Sequence, residues 1–189
     1  MPKEFTCEKN ELRLELKSRR AELADKPQRA ELATERALSL ITGGNVLVYV
    51  SIGSELDTFG LIENLLHNPA VKIFVPHTAG GIIEALPLER LESADKLGNL
   101  PSECYGAPAR NVKIDICVTP LLGFNSRGYR LGYGKGCYDR FFACSDAYKM
   151  GLAFDCQLCE FSPEPHDVPL DCCVTETKVI YFDHARNIG

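Results

Sequence analysis

"VKIDICVTPLLGFNSRGYRLGYGKGCYDRFF", residues 112–142, begins as a strand, passes through a glycine-rich loop and ends as the start of a helix. Residues 112–120 are rich in β-branched residues and closed by Pro120, which predicts a central strand. The last residues, continued as CYDRFFACSDAY, predict a helix. Residues 128–142 hold Gly128, Gly132, Gly134 and Gly136 among three tyrosines (Tyr129, Tyr133, Tyr138), two arginines (Arg130, Arg140), Lys135 and Asp139. A strand that feeds a helix through such a loop is the repeating unit of an α/β domain. In open sheets of that kind ligands sit outside the carboxyl ends of the strands, so the loop falls where a ligand would.

The rest of the chain repeats the alternation. NVLVYVS (45–51), VKIFVP (71–76, ended by Pro76), YKMGLAFD (148–155) and KVIYFD (178–183) predict strands, and GIIEALPL (81–88) predicts an edge strand. Residues 7–25 predict a helix with Leu12, Leu16 and Leu23 on one side and a basic stripe of Lys9, Arg13, Lys17 and Arg20. Residues 27–44 predict a second, with Pro27 in its first turn, Gly43-Gly44 as its stop, and Leu32, Ala33, Arg36, Ala37 and Leu40 buried. Residues 57–68 predict a third, capped by Asp57 or Thr58. Residues 92–111 read as irregular. Neither a repeat nor a linker interrupts the pattern, so residues 1–189 are expected to form one α/β domain with a mostly parallel sheet.

Composition narrows the function. A net charge of −5 argues against a sequence-independent nucleic-acid binder. No apolar run approaches the roughly 20 residues that span a bilayer, and the N-terminus has no apolar signal core. A cytoplasmic protein with no membrane or nucleic-acid partner is expected, and a monomer, with an oligomer as the open alternative. Nine cysteines in such a setting are expected to be reduced. CQLC (156–159) with Cys172-Cys173 admits a zinc or redox reading, but adjacent cysteines make a poor ligand pair, and small buried residues are the default.

The glycine loop has the parts of a phosphate cradle. Glycines let backbone N–H groups approach an anion and permit positive φ, and a helix start adds its field. Lys135 offers a point charge, Arg130 a bidentate fork, and Asp139 a hard oxygen ligand for magnesium. The generic nucleotide motifs do not match. Gly134-Lys135 is followed by Gly136 rather than Ser or Thr, and Cys137 stands where a dinucleotide fingerprint needs glycine. Composition alone leaves two readings, a phosphate site and a tight glycine turn with incidental surface charge.

A longer pattern decides between them. PLLGFNSRGYRLGYGKGCYDRFF (120–142), Lys9 and Arg13 on an N-terminal helix, SELDT (54–58) after the first strand, and the stretch from Ala153 to Glu176 with HDVPLD within it occur in one order. Together they resemble the 5-formyltetrahydrofolate cyclo-ligase, or methenyltetrahydrofolate synthetase, family over nearly the whole chain. The resemblance implies a three-layer α/β/α sandwich, Rossmann-like and of the NagB/RpiA type. It implies conversion of 5-formyltetrahydrofolate, with or without a polyglutamate tail, to 5,10-methenyltetrahydrofolate, with ATP as co-substrate and Mg2+ as cofactor. ADP and phosphate would be released through a phosphorylated formyl intermediate. The alternative is a non-catalytic relative that binds reduced folates or nucleotides.

The same resemblance implies site residues. Lys135 and Arg130 would be catalytic. Lys9, Arg13, Arg130, Gly132, Gly134, Lys135, Gly136 and Tyr138 would bind ATP. Arg13, Ile52, Glu55, Asp57, Tyr133, Gly134, Lys135, Gly136 and Cys137 would bind the folate, and Asp139 and Asp167 the magnesium. On spacing alone, Lys9 and Arg13 would be a solvated helix face, Asp57 a helix cap, and Asp167 beside His166 a loop turn. The chain departs from the family pattern at Asn125 (usually Asp), at Cys137 (usually Tyr) and in YGAPAR (105–110), which lacks a glutamate before proline. The first is expected to remove a loop-ordering carboxylate, the second an aromatic surface. Activity is expected to survive both.

Overall fold

The structure is a computed structural model that describes residues 3–92, 99–106 and 112–183, with side chains from Lys9 onward. The strands are β1 (Gly44–Val48), β2 (Val71–Ala79), β3 (Ile82–Pro87), β4 (Ile116–Thr119), β5 (Gly123–Phe124), β6 (Arg130–Leu131), β7 (Tyr148–Leu152), β8 (Cys172–Val174) and β9 (Val179–Tyr181). The helices are α1 (Lys3–Glu22), α2 (Lys26–Leu40), α3 (Phe59–Leu66) and α4 (Cys137–Ala143). Seven strands form one sheet in the order β3-β2-β1-β4-β7-β8-β9. The five inner strands run parallel, and the two edges, β3 and β9, run antiparallel. β4 takes the central position that its sequence predicts.

Both faces of the sheet are covered, which is why its strands read as continuous apolar runs. Val46, Val48, Ile116, Val118, Met150 and Leu152 pack with α2 and α3 on one side. Leu47, Phe74 and Cys117 pack with Phe142 of α4 on the other. The result is the expected α/β/α sandwich. The chain leaves β1 toward β2 and β3 on one side, then returns to place β4 on the other side of β1. This reversal is a topological switch point, and a crevice opens there at the carboxyl ends of the strands.

Local readings change in five places. β2 continues through Pro76 to Ala79. The Leu88 N–H donates to the Ile73 carbonyl at 2.9 Å, which makes Pro76–Ala85 a non-hydrogen-bonded pair. β1 pairs with β2 only as far as Phe74, so no ladder needs the N–H that proline lacks. The buried side of α2 is Ala30, Ala33, Thr34 and Ala37, while Leu32 faces solvent. Small residues let this helix sit close to its neighbours. β8 is a strand of three residues, too short to announce itself. β5 and β6 form a small ladder inside the segment read as loop. On α1, the inward face carries Lys9, Leu16 and Arg20, whereas Leu14 is 71% exposed.

Candidate functional site

The crevice at the switch point is a cleft of about 990 Å³, at the upper end for ligand pockets, which run roughly 300–1,000 Å³. Five segments supply most of its wall. α1 supplies Lys9 and Arg13, the loop after β1 supplies Ile52 and Glu55, and β2 supplies Pro76 and His77. The glycine loop with the start of α4 supplies Arg130 through Arg140, and the segment before β8 supplies Glu164, His166 and Asp167. Lys9, Arg13, Ile52, Glu55, Arg130, Gly132, Tyr133, Gly134, Lys135, Gly136, Cys137, Tyr138, Asp139 and Asp167 all line it.

Asp57 is not among the lining residues. Its Oδ1 accepts the Phe59 N–H at 2.8 Å and so holds the first turn of α3, the plainer of its two readings. Thr58 does not cap. It is buried, donates to the Tyr49 carbonyl at 2.7 Å and accepts the Ser51 N–H at 3.1 Å, stapling the loop that carries Glu55.

Two cations, Lys9 and Arg130, form three ion pairs along the cleft. Lys9 Nζ lies 3.0 Å from Glu164 Oε1 and 3.2 Å from Asp167 Oδ2. Arg130 Nη2 lies 2.9 Å from Asp139 Oδ1, while Nη1 donates to the Val168 carbonyl at 3.1 Å. The Arg130 guanidinium also sits 5.0 Å from the Phe142 ring centroid, a cation–π distance. Arg13 Nε donates to the Gly132 carbonyl at 2.9 Å, tying α1 to the glycine loop. Arg140 Nη2 donates to the carbonyls of Gly81 and Lys135, both at 2.8 Å, and ties that loop to the β2–β3 hairpin. The Lys135 side chain has no ion-pair partner among the described residues.

The structure sorts the four glycines by cause. A Cβ on Gly128 would lie 2.7 Å from the Phe182 ring, and its φ is +84°, so packing and backbone conformation both select glycine there. Gly134 (φ +88°) and Gly136 (φ +63°) occupy backbone that side chains rarely adopt. A Cβ on Gly132 would meet nothing within 4 Å, because it borders the open cleft.

Four cleft-related residues escaped the sequence reading of roles: Arg20, Arg140, Glu164 and His166. Arg140 and Glu164 lie in recognised motif stretches, but nothing in their spacing marks them. Arg20 sits behind the cleft, bonded to the Tyr133 hydroxyl at 2.9 Å. Tyr133 in turn donates to Glu55 Oε1 at 2.6 Å. Burial first, and then the bond to Glu55, push the Tyr133 phenol up to about 12.

Asn125 corrects the expectation attached to it. It is 0% exposed. Its Oδ1 accepts the N–H groups of Arg127 and Tyr129 at 3.1 and 2.9 Å, as a carboxylate would. Its Nδ2 donates to the Phe161 carbonyl at 3.1 Å, which a carboxylate could not do. The amide therefore orders the β5–β6 turn itself. In YGAPAR, residues 107–110 lie outside the described residues. Cys104, Cys117, Cys172 and Cys173 are buried as expected, whereas Cys137, Cys156 and Cys159 are half-buried and Cys144 is exposed. Cys172 and Cys173 point into opposite cores, and among the described residues no group of three or more His, Cys, Asp or Glu could hold a metal. Burial pushes the Cys117 and Cys172 thiols up to about 12.

Fold and cleft define a Rossmann-like α/β protein whose switch-point crevice is edged by glycines and lined by cations. Comparison with known proteins narrows this class. The family model for the 5-formyltetrahydrofolate cyclo-ligase family matches residues 6–176. The 5-formyltetrahydrofolate cyclo-ligase of Escherichia coli K12 is 32% identical over 176 residues, covering 80% of this chain and 92% of that protein. The Haemophilus influenzae enzyme of the same name is 31% identical over 189 residues, covering 87% and 96%. The NMR structure of Aquifex aeolicus 5,10-methenyltetrahydrofolate synthetase superimposes with a TM-score of 0.73 at 26% identity, covering 96% of both chains. The chain belongs to the 5-formyltetrahydrofolate cyclo-ligase family, and family and relatives alike support that enzymatic activity.

Proposed function

We propose that the chain converts 5-formyltetrahydrofolate to 5,10-methenyltetrahydrofolate using ATP and magnesium, through a phosphorylated formyl group. One observation carries the ATP part of this reading. Lys9, Arg13, Arg130, Lys135 and Arg140 converge on one glycine-edged cleft in a chain of net charge −5. In an acidic protein such a concentration of cations marks the seat of an anion.

The formyl oxygen attacks the terminal phosphorus of ATP. An O–P bond forms as the bond to ADP breaks. N10 of the folate then attacks the formyl carbon, the C–O bond to phosphate breaks, and the N10 proton is lost. Catalysis of this kind rests on positioning and on charge stabilisation. Lys9 and Arg13, one helical turn apart, grip the triphosphate. Arg130 and Lys135 offset the charge on the transferring group, and the backbone of Gly132, Gly134 and Gly136 lies against it, with Tyr138 alongside. Ile52, Glu55, Tyr133 and Cys137 take the folate end, and Arg13, Gly134, Lys135 and Gly136 border both ligands.

Asp139 and Asp167 would hold magnesium. They are hard oxygen donors on the same cleft, and this ion commonly takes only one or two carboxylates, with phosphate oxygens and waters completing its shell. When bound, it neutralises phosphate charge. In the free protein the two carboxylates are paired with Arg130 and Lys9, so a phosphate would offer each of those cations a new partner.

The test is direct. Purified protein is mixed with 5-formyltetrahydrofolate, ATP and magnesium, and methenyltetrahydrofolate is followed by absorbance. Product that requires both ATP and magnesium is the expected result. No product, with ATP still bound, would overturn the assignment in favour of a binding protein.

A further inference from the structure

Arg20 is buried to 2% exposure on the inner face of α1, and among the described residues no carboxylate pairs with it directly. Its Nε donates to Ser54 Oγ at 3.2 Å, its Nη1 to the Leu121 carbonyl at 3.1 Å and its Nη2 to the Tyr133 hydroxyl at 2.9 Å. Burying a guanidinium among neutral partners is costly, and an apolar side chain would pack α1 with less penalty. Packing is therefore a poor explanation for this residue.

The chain of bonds that leaves Arg20 supplies a better one. Because Arg20 donates to the Tyr133 oxygen, the tyrosine's own proton is directed to Glu55, 2.6 Å away. The second oxygen of Glu55 accepts the Ile52 N–H at 2.9 Å. Each carboxylate oxygen thus holds one protein donor and keeps acceptor capacity for another. Glu55, Tyr133 and Ile52 all border the cleft. Tyr133 as a residue remains 43% exposed, at the edge of the cleft.

We propose that Arg20 is a positioning residue for the substrate, acting through the Tyr133 hydroxyl to hold Glu55 as an acceptor for the N–H donors of the reduced pterin. This rests on the assignment of Glu55 and Tyr133 to the folate end of the cleft. Arg20 touches neither ligand. It fixes the direction of a hydrogen-bond relay running from α1 through the glycine loop to the loop after β1.

The experiment compares wild type with Tyr133→Phe, Arg20→Leu and the double variant. Binding of 5-formyltetrahydrofolate without ATP and binding of ATP alone are each measured by calorimetry, alongside KM and kcat. Loss of one relay bond is expected to weaken folate binding and raise the folate KM roughly tenfold. ATP affinity and the melting temperature of Tyr133→Phe should not change. The double variant should lose no more than the larger single loss, because both changes break one relay. Wild-type folate affinity in Tyr133→Phe would overturn the proposal, as would an equal loss of ATP affinity. Tyr133→Phe retains its force if Arg20→Leu does not fold. A wild-type protein that binds no 5-formyltetrahydrofolate would instead overturn the proposed function, and this inference with it.

Discussion

Alanine at Gly132 and alanine at Gly134 should have opposite effects, although the two positions are neighbours on one loop. A Cβ at Gly134 would lie 3.5 Å from the Arg13 guanidinium carbon, an ordinary contact, so space is not the obstacle. The obstacle is φ +88°, where a left-handed backbone costs an L-residue about 1–2 kcal/mol. In a chain of 189 residues each kcal/mol moves Tm by about 2–4 °C, so Gly134→Ala should lower Tm by about 2–8 °C. Gly132 has no positive φ, and a Cβ there meets no protein atom within 4 Å. Gly132→Ala should leave Tm where it is and place a methyl group on the cleft wall. If a phosphate chain lies against that backbone, overpacking of about 1–3 kcal/mol should weaken ATP binding by about 5- to 150-fold. Thermal denaturation without ligand, followed by ATP calorimetry, reads both effects. Wild-type ATP affinity in a folded Gly132→Ala protein would refute the placement of the phosphates, and equal Tm losses in the two variants would refute the conformational argument.

Three further outcomes follow from the same geometry. Lys135→Ala should fold normally and turn over roughly 10²–10³ times more slowly, the usual loss for one charge-stabilising donor, as read by steady-state kinetics beside a circular dichroism spectrum. Asn125→Ala should lose about 1–3 kcal/mol in urea denaturation, because it strands the Phe161 carbonyl and two backbone N–H groups. Asn125→Asp should lose less, since it keeps both acceptor bonds. The buried thiols set an alkaline limit. Burial raises Cys117 and Cys172 from about 9 to about 12, so the unfolded chain releases their protons first. Their contribution is intact below about pH 9 and falls as pH rises from there toward 12, by about 1.4 kcal/mol per thiol per pH unit. Urea midpoints measured from pH 8 to pH 10.5 should fall accordingly, and less steeply in a Cys117→Ala variant.

Much of the fold was legible because buried parallel strands carry their signal in every residue. β1, β4 and β7 sit in a sheet covered on both faces, so their runs are mostly apolar, and the buried Lys149 of β7 is paired with Asp171 at 2.8 Å. β8 was not legible, because three residues, two of them cysteines, cannot establish a period. Sequence alone ends β2 at Pro76, yet proline breaks a strand reliably only where a ladder needs its N–H. That condition fails at Pro76, since the pairing phase with β3 and the end of β1 both spare it. The buried side of α2 was misplaced for a related reason. Hydrophobicity favours Leu32, but close packing selects the alanines.

The cleft was legible where its chemistry demands unusual residues and illegible where ordinary residues serve it. Glycines at alternate positions around a lysine have no common explanation in packing, so Gly132, Gly134, Lys135 and Gly136 drew attention at once. Arg20 drew none. In sequence it is one more cation on a basic helix, four residues after Leu16, and its spacing fits a solvated face as well as a buried one. Only the fold shows that this face turns inward, and that the guanidinium meets a phenol supplied by residue 133, more than a hundred positions away. The same holds for Asn125. Compared with a family pattern it is a missing carboxylate, whereas in place it is an amide that accepts like a carboxylate and also donates to Phe161. A substitution that looks like a loss in one dimension can gain a bond in three, because what a polar side chain contributes depends on the groups that face it, and no residue type carries that information alone.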